Sequence, residues 1–150
     1  MKTKILLIFV LFTISLFGQF EEKGNNFSVG VDEEYSEYFK ERQDIHCQIF
    51  TFDYEQIKGF RIIISFTLPE KPKYFNIGNF SSYFSDDLTT QDKYHTSIKQ
   101  PEHLAYIFRQ IVEGEQISIK TDKAIYFFDF SKYKNDIEKS KFYKRLIEEY

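Results

Sequence analysis

The nine residues FRIIISFTL, at positions 60–68, decide the fold class of this chain. Apolar residues recur at every second position of the segment, which is the period of a strand with one buried face. The face predicted to lie in the core carries Phe60, Ile62, Ile64, Phe66 and Leu68. Pro69 follows and ends the strand, because proline has no backbone N–H to donate to a sheet.

The segment just before it predicts a neighbouring strand. Apolar and polar residues alternate from Ile45 to Ile49, and from Phe50 the aromatic residues take up the opposite parity. A change of parity indicates a bulge, or a strand that is covered on both faces. The connection over residues 55–59 is short, so we expect the two strands to form an antiparallel hairpin.

Two later segments have the helical period. Between residues 101 and 113, apolar residues fall at i, i+3, i+4, i+7 and i+8 and form one stripe. Pro101 suits the first helical position, where its missing N–H costs nothing, and Gly114 suits the position after the last turn. A second helix is predicted over about residues 134–149.

Four further segments are predicted to be strands. They cover residues 27–31, about 74–77, 117–120 and 124–130. The last of them is apolar on both faces, which predicts a strand in the middle of its sheet or one covered on both sides. Residues 32–43 are charged, and their pattern fits either a short surface helix or an extended arm.

The order of these elements is typical of an α+β domain, because strands joined by hairpins are accompanied by helices and do not alternate with them. We therefore predict an antiparallel sheet of about five to six strands, with the helices at about 101–113 and 134–149 packed on it. Residues 19–150 have the length of a single domain.

The first 18 residues predict a secretory signal peptide. Lys2 and Lys4 supply a positive start before the apolar stretch Ile5–Leu16. Gly18 is a small residue suited to the position before the cleavage site. The apolar stretch is shorter than the ~20 residues that span a bilayer, so we expect cleavage and not anchoring. The segment resembles the signal peptides of Gram-negative bacteria, which implies export to the periplasm or the extracellular space.

Composition bounds the function further. Aromatic residues make up 19% of the chain, with 18 Phe and 11 Tyr, so material for a core is ample. Cys47 is the only cysteine, which leaves no internal disulfide to stabilise an exported domain. The formal net charge of −3 becomes more negative without the signal, whose only charged residues are two lysines. A mildly acidic domain has no electrostatic reason to bind nucleic acid or an anionic membrane.

Motifs for catalysis or for cofactors are missing from the sequence. His46, His95 and His103 lack the close spacing of a zinc site, and no phosphate-binding glycine loop occurs. Cys47 is placed on the predicted core face of its strand, where burial makes a thiol inert. We therefore expect no catalytic residue, no metal and no cofactor.

One segment has the composition of a binding surface. Residues 74–84 combine aromatic rings with asparagine, glycine and serine, a mixture common in protein-recognition loops. The candidate binding residues are Tyr74, Phe75, Phe80, Tyr83 and Phe84. The alternative, which the usual burial of large aromatic residues favours, is that these rings complete the core beneath a long loop. The binding hypothesis requires an exposed apolar patch there.

These observations favour a small exported protein without enzymatic activity that binds another protein or a small ligand, as an inhibitor or immunity protein does. A structural subunit of a cell-envelope assembly is a first alternative, and it predicts an unpaired hydrophobic edge strand. An enzyme is a second alternative, with a site assembled from Asp86, Asp87, His95 and His103. Such a site requires a histidine within hydrogen-bond reach of an acid in a concave pocket.

Overall fold

The structure is a computed structural model, and it describes residues 19–33, 45–57, 59–84, 89–90 and 93–150. The predicted signal peptide over residues 1–18 lies outside the described residues. The same holds for Asp86, Asp87 and most of the charged segment 32–43. Among the described helices, none combines the length and the apolar character needed to cross a membrane.

The α+β class predicted from the sequence is confirmed. The described residues form ten strands and three α-helices, and all of the strand pairings are antiparallel. In chain order the strands are β1 (Phe20–Lys23), β2 (Asn26–Asp32), β3 (His46–Tyr54), β4 (Gly59–Thr67), β5 (Pro72–Ile77), β6 (Phe80–Tyr83), β7 (Thr89–Thr90), β8 (Lys93–Ile98), β9 (Ile117–Thr121) and β10 (Ile125–Phe128). The helices are α1 (Pro101–Val112), α2 (Lys134–Lys139) and α3 (Lys141–Glu149).

The predicted antiparallel sheet is accompanied by a second one. The first sheet has six strands in the order β1-β2-β3-β4-β8-β7, and the second has four in the order β10-β9-β5-β6. The chain leaves the first sheet after β4, at Pro69, and returns to pair β8 with β4. Alternation along a strand indicates which face is buried but not which strand lies beside it, so the sequence pattern is the same for one sheet or two.

β3 and β4 form the predicted hairpin inside the six-stranded sheet. Their pairing runs without a shift over the whole length of both strands. The residues of β4 that are buried are those predicted for the core face, Phe60, Ile62, Ile64 and Phe66. Because the register is unbroken, the parity change at Phe50 comes from apolar residues on both faces of β3 and not from a bulge.

Helix α3 is fixed to the six-stranded sheet by one ring and one ion pair. Phe142 is fully buried in the core. The rings it meets edge-on are Phe27 of β2, Phe60 of β4 and Phe108 of α1, at centroid distances of 6.0, 5.5 and 5.7 Å. One turn further on, Arg145 Nε donates to Asp53 Oδ2 of β3 at 2.6 Å, and the Asp53 side chain is almost completely buried. Both contacts place α3 across β2, β3 and β4.

Phe66 of β4 joins the two sheets. Its ring lies 6.3 Å from Phe75 of β5, 5.7 Å from Phe128 of β10 and 5.5 Å from Phe84 after β6. Phe66, Phe75 and Phe128 have no exposed surface. The inner faces of both sheets and the helices therefore share one core.

The predicted helix over 134–149 is interrupted, whereas α1 matches the predicted helix over 101–113 to within one residue. α2 and α3 meet at Ser140, which is extended with φ −64° and ψ 149°. Ser140 Oγ donates to the carbonyl of Ile137 at 2.6 Å and accepts from the N–H of Tyr143 at 3.2 Å. A serine side chain that accepts from the first turn caps a new helix, and this capping is the physical reason for the break.

The strand over 124–130 was predicted to be central in its sheet or covered on both sides, and both alternatives are wrong for the described residues. Among the described residues, β10 is the end strand of the four-stranded sheet and pairs with β9 alone. Tyr126 and Phe128 are buried on its inner face, whereas Ile125 is 53% exposed and Phe127 is partly exposed on its outer face. The outer face of β10 is therefore apolar although it is open to solvent, and the position of β10 at the end of the sheet is given by its pairing and not by this pattern.

The turn between β5 and β6 rests on helix α1. Gly78 has a φ of +55°, and the next N–H, that of Asn79, donates to Tyr106 Oη at 2.8 Å. A Cβ at position 78 would lie 2.5 Å from Tyr106 Oη and 2.8 Å from Gln110 Oε1. Alanine at this position would therefore displace the hydroxyl that receives the hydrogen bond.

We expect Gly78→Ala to lower the free energy of unfolding by about 2–3 kcal/mol, from left-handed strain of about 1–2 kcal/mol and a lost hydrogen bond of about 1 kcal/mol. Gly24→Ala is the matched control, since Gly24 has φ +62° but a Cβ there meets nothing within 4 Å. Urea denaturation followed by circular dichroism measures both variants. Equal losses in the two would contradict the role given to the contact with α1.

Candidate binding surface

The structure divides the five predicted binding residues between two faces of the four-stranded sheet. Side chains at successive positions of β5 and β6 point to opposite faces. Phe75 is fully buried on the inner face, and Phe80 and Phe84 lie partly buried against the core. Tyr74 and Tyr83 lie on the outer face, where Tyr83 is 78% exposed. Three of the five rings therefore lie in or against the core, whereas Tyr74 and Tyr83 have the exposure that the binding hypothesis requires.

We name the outer side of this sheet the open face. It consists of two rows of side chains, and each row crosses all four strands in register. The first row is Ile125, Lys120, Tyr74 and Tyr83, and the second row is Phe127, Ser118, Asn76 and Ser81. Each of the eight side chains is at least partly exposed, so solvent reaches both rows.

Contacts within the open face hold its aromatic rings in place. Tyr74 and Tyr83 meet edge to face with their centroids 5.6 Å apart. Lys120 Nζ lies 5.9 Å from the centroid of the Tyr74 ring, within cation–π range. Ser81 Oγ donates to the side-chain oxygen of Asn76 in the second row. Side chains that are already ordered lose less conformational entropy when a partner binds.

One end of the open face deepens into a hollow of about 430 Å³. The hollow lies between the β5–β6 turn and the loop that joins α1 to β9. Its lining residues are Asn76, Ile77, Gly78, Gly114, Glu115, Gln116, Ser118 and Phe127. Amide, hydroxyl and carboxylate groups predominate among its side chains, so the hollow suits a polar or positively charged group.

A polar cluster on the loop before β5 fixes β9 and β10. Glu70 Oε1 accepts from Thr121 Oγ1 at 2.8 Å and from Tyr126 Oη at 2.6 Å. Thr121 Oγ1 in turn accepts from the N–H groups of Lys123 and Ala124, at 3.2 and 3.0 Å, inside the turn between the two strands. These bonds set the position of the strand that carries the apolar end of the open face.

The described residues of the predicted enzyme site do not form an acid–base pair. His95 is partly exposed on β8, and His103 is exposed on the first turn of α1. The His103 ring lies 5.1 Å from the ring of Phe80, beside a second hollow of about 390 Å³. Neither imidazole has a hydrogen bond to an acid in the part of the chain that the structure describes. Asp86 and Asp87, the other two members, lie outside that part.

Metal ligands do not converge either, within the ranges that the structure describes. No group of three or more His, Cys, Asp or Glu side chains is arranged there to hold a metal ion. One pair that sequence reasoning missed does exist, since His46 Nδ1 lies 3.0 Å from Asp32 Oδ1. The two residues meet because β2 and β3 pair in register at this point, which their separation along the chain does not reveal.

Cys47 lies on the core face of β3, as the sequence predicted. Its side chain has no exposed surface, and burial raises the pKa of the thiol well above its usual value. A thiol that is neither ionised nor accessible cannot act as a nucleophile.

Sequence reasoning missed the half of the open face that β9 and β10 supply. Lys120 and Ser118 look like ordinary solvated positions of a strand. Ile125 and Phe127 carried a signal, because the segment 124–130 is apolar on both faces. That signal was interpreted as burial, whereas the structure has these two side chains at an exposed sheet edge.

Comparisons with protein-family models, with curated proteins and with solved structures find no match for this chain.

We expect the Cys47 thiol of the folded protein to resist alkylation by iodoacetamide at pH 8 and to react fully in 6 M guanidinium chloride. The physical reason is that the buried thiol is protonated and out of reach of the reagent. Ser81→Cys places a second thiol on the open face and is the control, since position 81 is exposed. Mass spectrometry counts the modified groups, and rapid labelling of Cys47 in the native protein would contradict its place in the core.

Proposed function

We propose that this chain is an exported, non-enzymatic module that binds another protein through the open face, as an inhibitor or immunity protein does. The observation that carries the proposal is the exposed row formed by Ile125, Lys120, Tyr74 and Tyr83 across four strands. Large apolar side chains on a solvent-facing sheet surface have a free-energy cost in a monomer that a partner removes by covering them.

The composition of the open face supports a protein partner. Tyrosine offers a large contact area with few rotatable bonds, and serine and asparagine supply adaptable hydrogen bonds. Tyr74 and Tyr83 lie side by side, with Asn76 and Ser81 in the row next to them. The first row extends over three strand spacings of ~4.8 Å, so it is about 14 Å wide, enough for the centre of an interface.

The side chains of the open face also indicate what the partner offers. Aromatic or aliphatic groups would pack on Ile125 and on the Tyr74–Tyr83 pair, and an acidic group would pair with Lys120, which lies between them. The hollow at the end of the face would receive a polar or basic side chain, held by Asn76 and Glu115. The partner surface is therefore mixed, with apolar groups on both sides of an acidic one, and transient interfaces commonly combine polar and apolar contacts in this way.

Export is part of the proposal and is supported by the first 18 residues alone. A positive start, a short apolar stretch and a small residue before Gln19 are the features of a cleaved signal peptide. The partner would accordingly be met in the periplasm or outside the cell.

We expect Tyr83→Ser to reduce partner binding at least tenfold, because loss of a large exposed aromatic contact costs about 1.4 kcal/mol or more. Ile57→Ser is the matched control, since Ile57 is 77% exposed, like Tyr83 at 78%, but lies on the connection between β3 and β4. The wild-type protein and both variants are immobilised and exposed to the envelope fraction of the source cells. Quantitative mass spectrometry then compares the captured proteins.

Capture of the same protein by the wild type and by Ile57→Ser, with at least tenfold less on Tyr83→Ser, is the expected result. The captured protein is then purified, and its affinity for the three forms is measured by calorimetry. Equal affinity for all three would place the binding surface elsewhere. Recovery of nothing above background would contradict a stable protein partner and favour a small ligand.

A further inference from the structure

The free edge of β10 lacks the features that usually protect an edge strand. Exposed edges are commonly blunted by lysine, proline or a bulge. Residues 124–128 contain none of these, and the strand pairs regularly with β9. β1, one of the two end strands of the six-stranded sheet, is protected in contrast by three charged residues out of four. β10 is thus an apolar edge with no partner strand among the described residues.

The backbone groups that β10 directs to this edge can be assigned. The N–H of Thr121 donates to the carbonyl of Ala124 at 2.9 Å, so these two residues form the hydrogen-bonded pair that closes the β9–β10 turn. Hydrogen-bonded and non-hydrogen-bonded pairs alternate along an antiparallel ladder. Ile125 and Phe127 consequently belong to non-hydrogen-bonded pairs with β9, and they direct their N–H and C=O groups outward.

We propose that the β10 strands of two copies of this chain pair antiparallel across a two-fold axis at Tyr126. Ile125 of one copy then lies opposite Phe127 of the second copy, and each pair exchanges two backbone hydrogen bonds. The side-chain parity is preserved, because Ile125 and Phe127 both lie on the open face and Tyr126 faces the core. A two-fold interface of this kind uses the same surface on both copies.

The charges that flank β10 select this register. Lys123 and Asp129 stand three residues before and three residues after Tyr126. Pairing about Tyr126 therefore brings Lys123, in the turn before β10 of each copy, towards Asp129, just after β10 of the other, so that two ion pairs can form between the copies. A shift by two residues in either direction loses both pairs and sets Lys123 or Asp129 opposite an apolar residue.

The side chains of this pair are available for the contact. Lys123 is exposed, and Asp129 uses Oδ1 to accept from the N–H and the hydroxyl of Ser131, which leaves Oδ2 as a second acceptor. The assembled sheet has eight strands, four from each copy, and the two open faces form one continuous surface. This inference does not rest on the proposed function, since the edge pairs whether or not the open face has a partner.

The test uses the purified full chain in sedimentation equilibrium over a range of concentrations. Lys123→Glu puts two glutamates opposite the two aspartates, and we expect it to weaken dimerisation at least tenfold. Asp129→Lys puts lysine opposite lysine, with the same expected effect. Lys144→Glu changes the charge of an exposed lysine on α3 in the same way and is expected to leave the dimer unchanged.

Mixing the two charge variants gives the decisive measurement. In a mixed pair, the copy with Lys123→Glu presents two acidic side chains and the copy with Asp129→Lys presents two lysines, so both ion pairs return. Association of the mixture, with little self-association of each variant, is the expected result. Circular dichroism verifies that each variant is folded, and failure of folded variants to associate on mixing overturns the proposal.

Two further results would also overturn it. One is a wild-type chain that stays monomeric at millimolar concentration, and the other is a dimer that Lys123→Glu does not weaken. Tyr83→Ser separates this inference from the proposed function, because it is expected to keep the dimer while it loses the captured protein.

Discussion

The packing of Phe66 against the rings of the second sheet is the contact on which the arrangement of this protein depends. It places the four-stranded sheet against the inner side of the six-stranded sheet, where Phe75 and Phe128 complete a core without any disulfide. The stability of the domain then depends on buried aromatic area. Phe142 contributes to this area and holds α3 across β2 and β4. The exposed features of the four-stranded sheet follow from the burial of its inner face.

The open face exists because the core uses the other side of the same strands. In β5 and β10, alternate residues supply the core through Phe75 and Phe128, so their neighbours Tyr74 and Phe127 must point to solvent. The placement of β10 at the end of the sheet adds a backbone edge that no other described strand pairs with. β10 therefore has a buried inner face and an apolar outer face that is at least partly exposed.

Much of the fold could be predicted from local pattern. The two-residue period of FRIIISFTL, the hairpin with β3 and the limits of α1 all follow from residues that are close in sequence. The break at Ser140 had a local signal as well, since serine is a favoured helix cap, but the apolar stripe continues across it. The division of the strands into two sheets had no local signal, because the alternation of residues along a strand does not depend on which distant strand pairs with it.

The sequence by itself determined the class of the fold, the core face of β4 and the buried place of Cys47 on β3. Tertiary structure alone decided which aromatic residues of 74–84 are core and which are surface, and it set β10 at an edge. The physical reason is that period and composition are properties of one strand, whereas exposure depends on what packs against it. The apolar face of Ile125 and Phe127 has the same pattern in a buried strand and in an open one.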